Sequence, residues 1–236
     1  MKIEVFTYMT LLARKEEVEA RVAAACQRSG RNENEIKIIA VTKYVSLETT
    51  RSVLDTGLLH IGENRWQDVK PKWEALHDRG TWHFIGHLQT NKVKDVIGKF
   101  AYIHSLDRMS LAKELDKQAA ALGMKVNCLL QVNISGEESK YGMDPEHFFE
   151  FAEEVSKLQH IHISGLMTMA PYEMEADATR PVFRGLRELR DRLNERNLFP
   201  YDIKELSMGM SGDFEVAIEE GATWVRLGTV LVGKEA

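Results

Sequence analysis

Short apolar runs alternate with amphipathic stretches along nearly the whole chain, and the alternation repeats eight times. The runs are IKIIAVTK (36–43), LLHIGEN (58–64), WHFIGH (82–87), AYIHSL (101–106), VNCLLQVNI (126–134), IHISGLMT (161–168), IKELSMG (203–209) and TWVRLGT (223–229). Each is short and bounded by turn residues, as expected of strands buried on both faces. The intervening stretches carry apolar residues at helical spacing. An opening helix over residues 10–29 repeats Leu11, Val18, Val22 and Ala25 on one face. PEHFFEFAEEVSKLQ groups Phe148, Ala152, Val155 and Leu158 behind an Asp144 cap and a first-turn Pro145. TRPVFRGLRELRDRLNER sets Val182, Leu186, Leu189 and Leu193 in a stripe; its six arginines alternate with Glu188, Asp191 and Glu195, which predicts a solvated, ion-paired outer face.

Strand followed by helix, eight times, predicts an α/β protein whose parallel sheet closes into a (β/α)8 TIM barrel. One domain over residues 1–236 is expected, with residues 1–30 as a helical extension packed on the barrel. An open doubly wound sheet is the alternative, but no GxGxxG follows the first strand.

Composition narrows the function classes. With 44% hydrophobic residues the chain can bury a sizeable core, and 31 basic against 36 acidic residues leave a net charge of −5. That balance argues against nucleic acid or anionic membrane as a partner. Cys26 and Cys128 have no CxxC spacing and stand beside ten methionines, which points to a reducing, cytoplasmic setting. The first apolar stretch carries Glu4, unlike a signal peptide, and no window approaches the roughly 18 apolar residues of a membrane span. The absence of a long apolar surface stripe predicts a monomer.

In such barrels the site lies at the carboxyl ends of the strands, where this chain places Lys43, Glu63-Asn64, His87, Asn133, Met167, Ser207 to Ser211 and Arg226. A lysine at a strand end is partly desolvated, which favours the neutral amine that attacks a carbonyl. The alternative is that Lys43 snorkels or pairs with a carboxylate such as Glu63. LSMGMSGDFEVAIEE joins the seventh strand to a helix through a glycine-rich turn, and VRLGT ends the eighth with Gly228 and Thr229. Loops after these two strands are the usual phosphate grip of the fold, although Ser211 also suits a plain helix N-cap.

A phosphate grip opposite a strand-end lysine fits a phosphorylated aldehyde such as pyridoxal 5′-phosphate, with Arg226 approaching the pyridine nitrogen. An arginine keeps its proton, so that nitrogen would stay unprotonated and the ring would be a weak electron sink. A cofactor-free Schiff-base aldolase acting on a sugar phosphate stays open at this point. His83 and His87 have a spacing that serves metals on helices, but here they fall on a strand and no clustered Cys/His supports a metal. His60, His104 and His162 read as scattered and structural or exposed. Lys140, in the polar loop SGEESKYG, reads as solvated, with a second anion or aldehyde contact as the alternative.

AVTKYVS, IGENRWQD, WHFIGHLQTNK, ISGLMTMAP, LSMGMSGDFEVAI and VRLGT occur in order from the first strand to the last. On these motifs the sequence resembles the pyridoxal phosphate homeostasis protein family, whose barrel is that of the alanine racemase N-terminal domain. The resemblance implies that Lys43 links the cofactor as a Schiff base and that Asn64 contacts it. It further implies that Ser211, Gly228 and Thr229 hold the phosphate, that Arg226 faces the ring nitrogen, and that Met167 and His83 line the pocket. Thr42 stands where many members carry serine, Tyr44-Val45 replaces a proline-containing variant, and Val232 stands where phenylalanine is frequent; none of these removes a proposed contact. The implied role is binding, storage or delivery of pyridoxal phosphate in vitamin B6 homeostasis, with no established catalysis and with PLP-dependent apo-enzymes as candidate recipients. The alternative is a PLP-dependent amino-acid racemase-like enzyme, for which a single barrel offers no place for the tyrosine that racemases bring from a second domain.

Overall fold

The structure, a computed structural model, describes residues 10–137, 141–171, 174–233 and 235. The eight strands are β1 (Lys37–Val41), β2 (His60–Glu63), β3 (Thr81–Phe84), β4 (Tyr102–Leu106), β5 (Val126–Gln131), β6 (Ile161–Met167), β7 (Glu205–Ser207) and β8 (Trp224–Leu227). They pair in parallel in sequence order, and β8 pairs with β1 to close the barrel. Helix α1 (Leu11–Ser29) precedes β1. Helices α2 (Leu47–Asp55), α3 (Trp66–Leu76), α4 (Val93–Val96), α5 (Met109–Ala121), α6 (Phe148–Ser156), α7 (Arg180–Glu195) and α8 (Phe214–Glu219) follow the first seven strands in turn. The expected (β/α)8 barrel is therefore what forms.

Local chemistry accounts for the element ends. The Thr10 hydroxyl accepts from the Ala13 N–H to start α1, and Gly30, at φ 66°, returns its N–H to the Cys26 and Gln27 carbonyls to end it. Ser46 caps α2 by accepting from Thr49 N–H at 3.1 Å. The strands are shorter than the apolar runs, and in most of them, β4 excepted, the last residues of the run turn into the following loop. Thus β1 stops at Val41, and Lys43 lies in a turn closed by Val45 N–H on the Thr42 carbonyl at 3.1 Å. The capped segment at Asp144 begins as a 3₁₀ turn, Pro145–His147, before α6. Phe151 joins Phe148, Ala152 and Val155 on the buried face, while Leu158 packs on the core from just beyond the helix.

Two cores result. The larger lies between the sheet and its helices, and the second is inside the barrel, where Ile39, Leu129, Met167 and Trp224 meet with Tyr102 and Met169 against them. The strand register shifts between Ile103 and Leu106 of β4 and again between Cys128 and Leu129 of β5 opposite β6, irregularities that re-aim side chains.

The arginine face of α7 is ion-paired as expected, but three of its arginines find their carboxylate outside the helix. Arg180, Arg184 and Arg187 converge on Glu220, just past the end of α8, at 3.3, 3.0 and 3.1 Å. Burial opposes ionisation of Glu220, but Arg184 and Arg180 outweigh it and hold the carboxyl below its ordinary range. Within the helix Arg190 pairs with Asp191, and Arg196 lies 3.6 Å from the centroid of the Phe149 ring. On the other side α1 docks on α8: Arg21 meets Glu215 at 3.0 Å, and Arg31 donates to the Ile218 and Ala222 carbonyls at 2.8 and 2.7 Å.

Where β6 crosses β7 the backbones meet too closely for a side chain. A Cβ on Gly165 would stand 2.1 Å from the Glu205 carbonyl oxygen, whereas one on Gly212 would meet nothing within 4 Å. Gly165→Ala should lower stability by about 1–3 kcal/mol in urea unfolding, with Gly212→Ala near wild type. Equal midpoints for the two variants would show that the β6–β7 contact is looser than described.

Candidate functional site

The carboxyl-end mouth of the barrel is assembled by the β8–β1 seam. The register Ala40 to Leu227 sets Val41 beside Gly228, so the turn carrying Lys43 and the turn carrying Gly228 and Thr229 rise side by side. Gly228 accepts from Leu231 and Val232 N–H, both at 2.9 Å, so a helical turn starts there. Nothing nearer than Val41 Cβ, at 3.9 Å, stands where a Gly228 side chain would begin. Ser211 is not the N-cap of α8; Asp213 holds that position. The Ser211 hydroxyl instead accepts from Val230 N–H at 3.4 Å and ties the loop after β7 to the loop after β8.

A buried charge cluster fixes the residues flanking Lys43. The Lys72 ammonium of α3 donates to the Thr42 carbonyl at 2.6 Å and to Glu63 Oε1 at 3.0 Å, and the Thr42 hydroxyl donates to the same carboxylate oxygen at 2.7 Å. Glu63 is fully buried and its Oε2 has no partner. Burial raises the Glu63 carboxyl above its ordinary range, and the Lys72 charge works against that. Glu63 is thus the partner of Lys72 and not of Lys43. Lys43 is half-buried, with its amine 4.9 Å from the centre of the exposed Tyr44 ring.

Asn64 follows at the end of β2, and its Oδ1 is buried without a partner. Gly86 makes that position possible, because a Cβ there would stand 2.4 Å from the Asn64 carbonyl oxygen. Met167 ends β6 inside the barrel. Arg226 is buried on β8, where it donates to Ser207 Oγ at 2.7 Å and to the Thr168 carbonyl at 2.9 Å. Burial pushes its pKa down to about 10, with Asp213 pulling the other way, so it remains a cation at neutral pH.

His60 and His104 are not scattered but meet at His83, while His162 lies apart against Tyr201. His83 is fully buried on β3 with both ring nitrogens engaged, by His60 and by His104 at 3.0 Å each, and it stacks on Tyr102. It therefore reaches the mouth only through His104 and Ser207. His87 goes elsewhere, stacking on Tyr141 at the rim, so the HFIGH pair does not converge. Asn133 donates to the Glu137 carbonyl in its own loop, and Lys140 lies outside the described residues. Lys72 was not legible in the chain, because a lysine on an amphipathic helix reads as solvated and only the tertiary structure sets it against the Thr42 carbonyl and Glu63. Two concavities of about 620 and 400 Å³ lie elsewhere, beside Arg31 and beside Phe199.

Residues 14–236 match the family described as alanine racemase, N-terminal domain. The pyridoxal phosphate homeostasis protein of Aquifex aeolicus is 47% identical over 96% of this chain and 99% of its own length. The chain belongs to the pyridoxal phosphate homeostasis protein family. Another similar structure is that of PipY from Synechococcus elongatus with PLP bound, which has a TM-score of 0.80 and 36% identity and covers 92% of this chain and 100% of its own. A Clostridium difficile alanine racemase shares the fold alone, with a TM-score of 0.69 and 17% identity over 91% of this chain and 56% of its own. The open Gly228 position and the cationic Arg226 fit an anionic, ring-bearing ligand, and the orphaned Asn64 oxygen offers an acceptor to a donor on it.

The Glu63–Lys72 pair yields a pH-dependent expectation. Lys72→Met leaves the Glu63 carboxylate uncompensated and should cost about 3–5 kcal/mol at neutral pH. Because burial raises the folded-state pKa of Glu63, its ionisation removes stability as pH rises from the ordinary carboxylate range through that raised value. Loss of Lys72 raises it further, so the deficit relative to wild type should shrink towards about pH 4. Urea unfolding across pH checks this; a deficit independent of pH would exclude a charge origin.

Proposed function

We propose that the chain binds pyridoxal 5′-phosphate at the carboxyl-end mouth and serves intracellular vitamin B6 homeostasis as a cofactor holder in the cytoplasm. The observation that carries this is the β8–β1 seam, which brings the strand-end lysine and the Gly228–Thr229 turn to one rim. When bound, the group supplies an electrophilic aldehyde and an aromatic ring able to take up electron density. Lys43 is the amine for the aldehyde, as a Schiff base. The Ser211 hydroxyl and the N–H groups beginning the Gly228 turn hold the phosphate, and the unpartnered Asn64 oxygen lies against the ligand.

Arg226 determines the character of the site. It is held on one side by Ser207 and the Thr168 carbonyl and keeps its proton at neutral pH. A donor there leaves a ring nitrogen without a proton and weakens the ring as an electron sink. That arrangement favours holding and releasing the cofactor over carbanion chemistry, with PLP-dependent apo-enzymes as recipients and the holder acting as a monomer.

Lys43→Ala should abolish the adduct detected by mass spectrometry after borohydride reduction while leaving weaker phosphate-dependent binding; an undiminished adduct would refute the assignment of Lys43. Ser211→Ala should weaken binding by about 1 kcal/mol, roughly fivefold. Equilibrium titration with pyridoxal 5′-phosphate and with unphosphorylated pyridoxal checks it, since only the phosphorylated form should lose affinity.

A further inference from the structure

The barrel interior holds a continuous polar line that the proposed cofactor chemistry does not use. It begins at half-buried His60, at the amino end of β2, and runs through His83 and His104 to Ser207. It ends on Arg226 at the mouth. Successive contacts are 3.0 Å from His60 Nδ1 to His83 Nε2, 3.0 Å from His83 Nδ1 to His104 Nε2, 2.9 Å from His104 Nδ1 to Ser207 Oγ, and 2.7 Å from Arg226 Nη1 to Ser207 Oγ. The rings pack against Tyr102 and Trp224, which close the line off from solvent on its flanks.

Hydrogen-bond arithmetic sets its direction. A guanidinium only donates, so Ser207 Oγ accepts from Arg226. The Ser207 hydroxyl hydrogen then goes to His104 Nδ1, which leaves the His104 proton on Nε2, donated to His83 Nδ1. By the same step the His83 proton is on Nε2, donated to His60 Nδ1, and the remaining His60 N–H lies at the outer end. The opposite direction would leave the Ser207 hydroxyl hydrogen with no acceptor among the described residues at a fully buried position. Burial disfavours charge on all three rings. For His104 the neighbouring His83 and Arg226 add to that, and for His83 so do His60 and Lys37. His60 is faced by Lys37 of β1, which opposes its protonation, by Glu205 of β7, which favours it, and by His83.

We propose that His60, His83, His104 and Ser207 form a hydrogen-bond relay, directed from Ser207 to His60 at neutral pH, that positions Arg226 from the amino end of the barrel, with His60 as its solvent-facing terminus. They are positioning residues and touch no ligand. Protonating His60 puts a hydrogen on Nδ1, which the line accommodates only if the His83 and His104 tautomers reverse together, and that reversal leaves the Ser207 hydroxyl hydrogen without its acceptor on His104. Acid at one face of the barrel therefore rearranges the donors around Ser207 at the other.

The experiment uses the full chain, ¹⁵N-labelled and free of cofactor, with two-bond ¹H–¹⁵N correlations reporting each imidazole tautomer. His83 and His104 are expected as Nε2–H at neutral pH and to switch together to Nδ1–H as His60 titrates. His60→Gln, whose side-chain oxygen still accepts, should preserve both tautomers and abolish the switch, and His60→Leu should lose the ordered pattern. An Nδ1–H tautomer at either ring in the neutral wild type, or an unchanged pattern in His60→Leu, overturns the relay. Only the last readout rests on the cofactor reading: the absorbance maximum of added pyridoxal 5′-phosphate should shift in His60→Leu and return in His60→Gln, and no shift overturns the positioning of Arg226. A wild type that binds no pyridoxal 5′-phosphate sinks the cofactor reading, and the tautomers, measured without it, then decide the relay alone.

Discussion

Closure of the sheet by β8 against β1 is the constraint on which the remaining geometry rests. Every other strand pairs with its neighbour in sequence, but this seam joins residues near 40 to residues near 226. Without it two strands would present unpaired N–H and C=O groups at open edges. With it, the end of the first strand and the end of the last share one rim, and α1, docked on α8 through Arg21 and Arg31, braces the adjoining side. A parallel barrel pays in long-range contacts, so the site exists only once the ring is complete.

Inside that ring, charge and polarity are arranged with unequal tolerance. The layer between sheet and helices is apolar, while the lumen carries imidazoles, an arginine and a serine among aromatic rings. Such groups are costly to bury unless each hydrogen bond is met. The Glu63, Lys72 and Thr42 cluster follows the same logic at the rim, and its function is geometric: it pins the backbone one residue before Lys43 and one residue before Asn64. The atoms left unmet at the mouth, Glu63 Oε2 and Asn64 Oδ1, sit beside this cluster.

On the proposed reading, the environment of the ring nitrogen bears on how strongly a bound cofactor ring withdraws electrons, although racemases tolerate an arginine there as well. An arginine fixed by a serine and a backbone carbonyl is a donor of fixed position and sign, which suits recognition and mutes electron withdrawal. A line of neutral imidazoles behind it supplies orientation without adding charge. The family to which the chain belongs is named for pyridoxal phosphate homeostasis.

The eightfold alternation of strand and helix was legible in the sequence because each element buries a face whose spacing is local: Val18, Val22 and Ala25 on α1, or Leu186, Leu189 and Leu193 on α7. The placement of Lys43, Asn64 and Ser211 beyond strand ends and of Arg226 on β8 was legible too, since strand position follows from the same alternation. Partners were not. Glu63 chose Lys72 over Lys43, Ser211 reached Val230 in place of capping α8, and three of the α7 arginines converged on Glu220 outside their own helix. Nor did three histidines 21 to 23 residues apart announce that they touch. Sequence periodicity determines which face a residue occupies, because that depends on neighbours a few positions away. Which atom it meets across the barrel depends on sheet register, stagger and closure, and those exist only when the whole ring has formed.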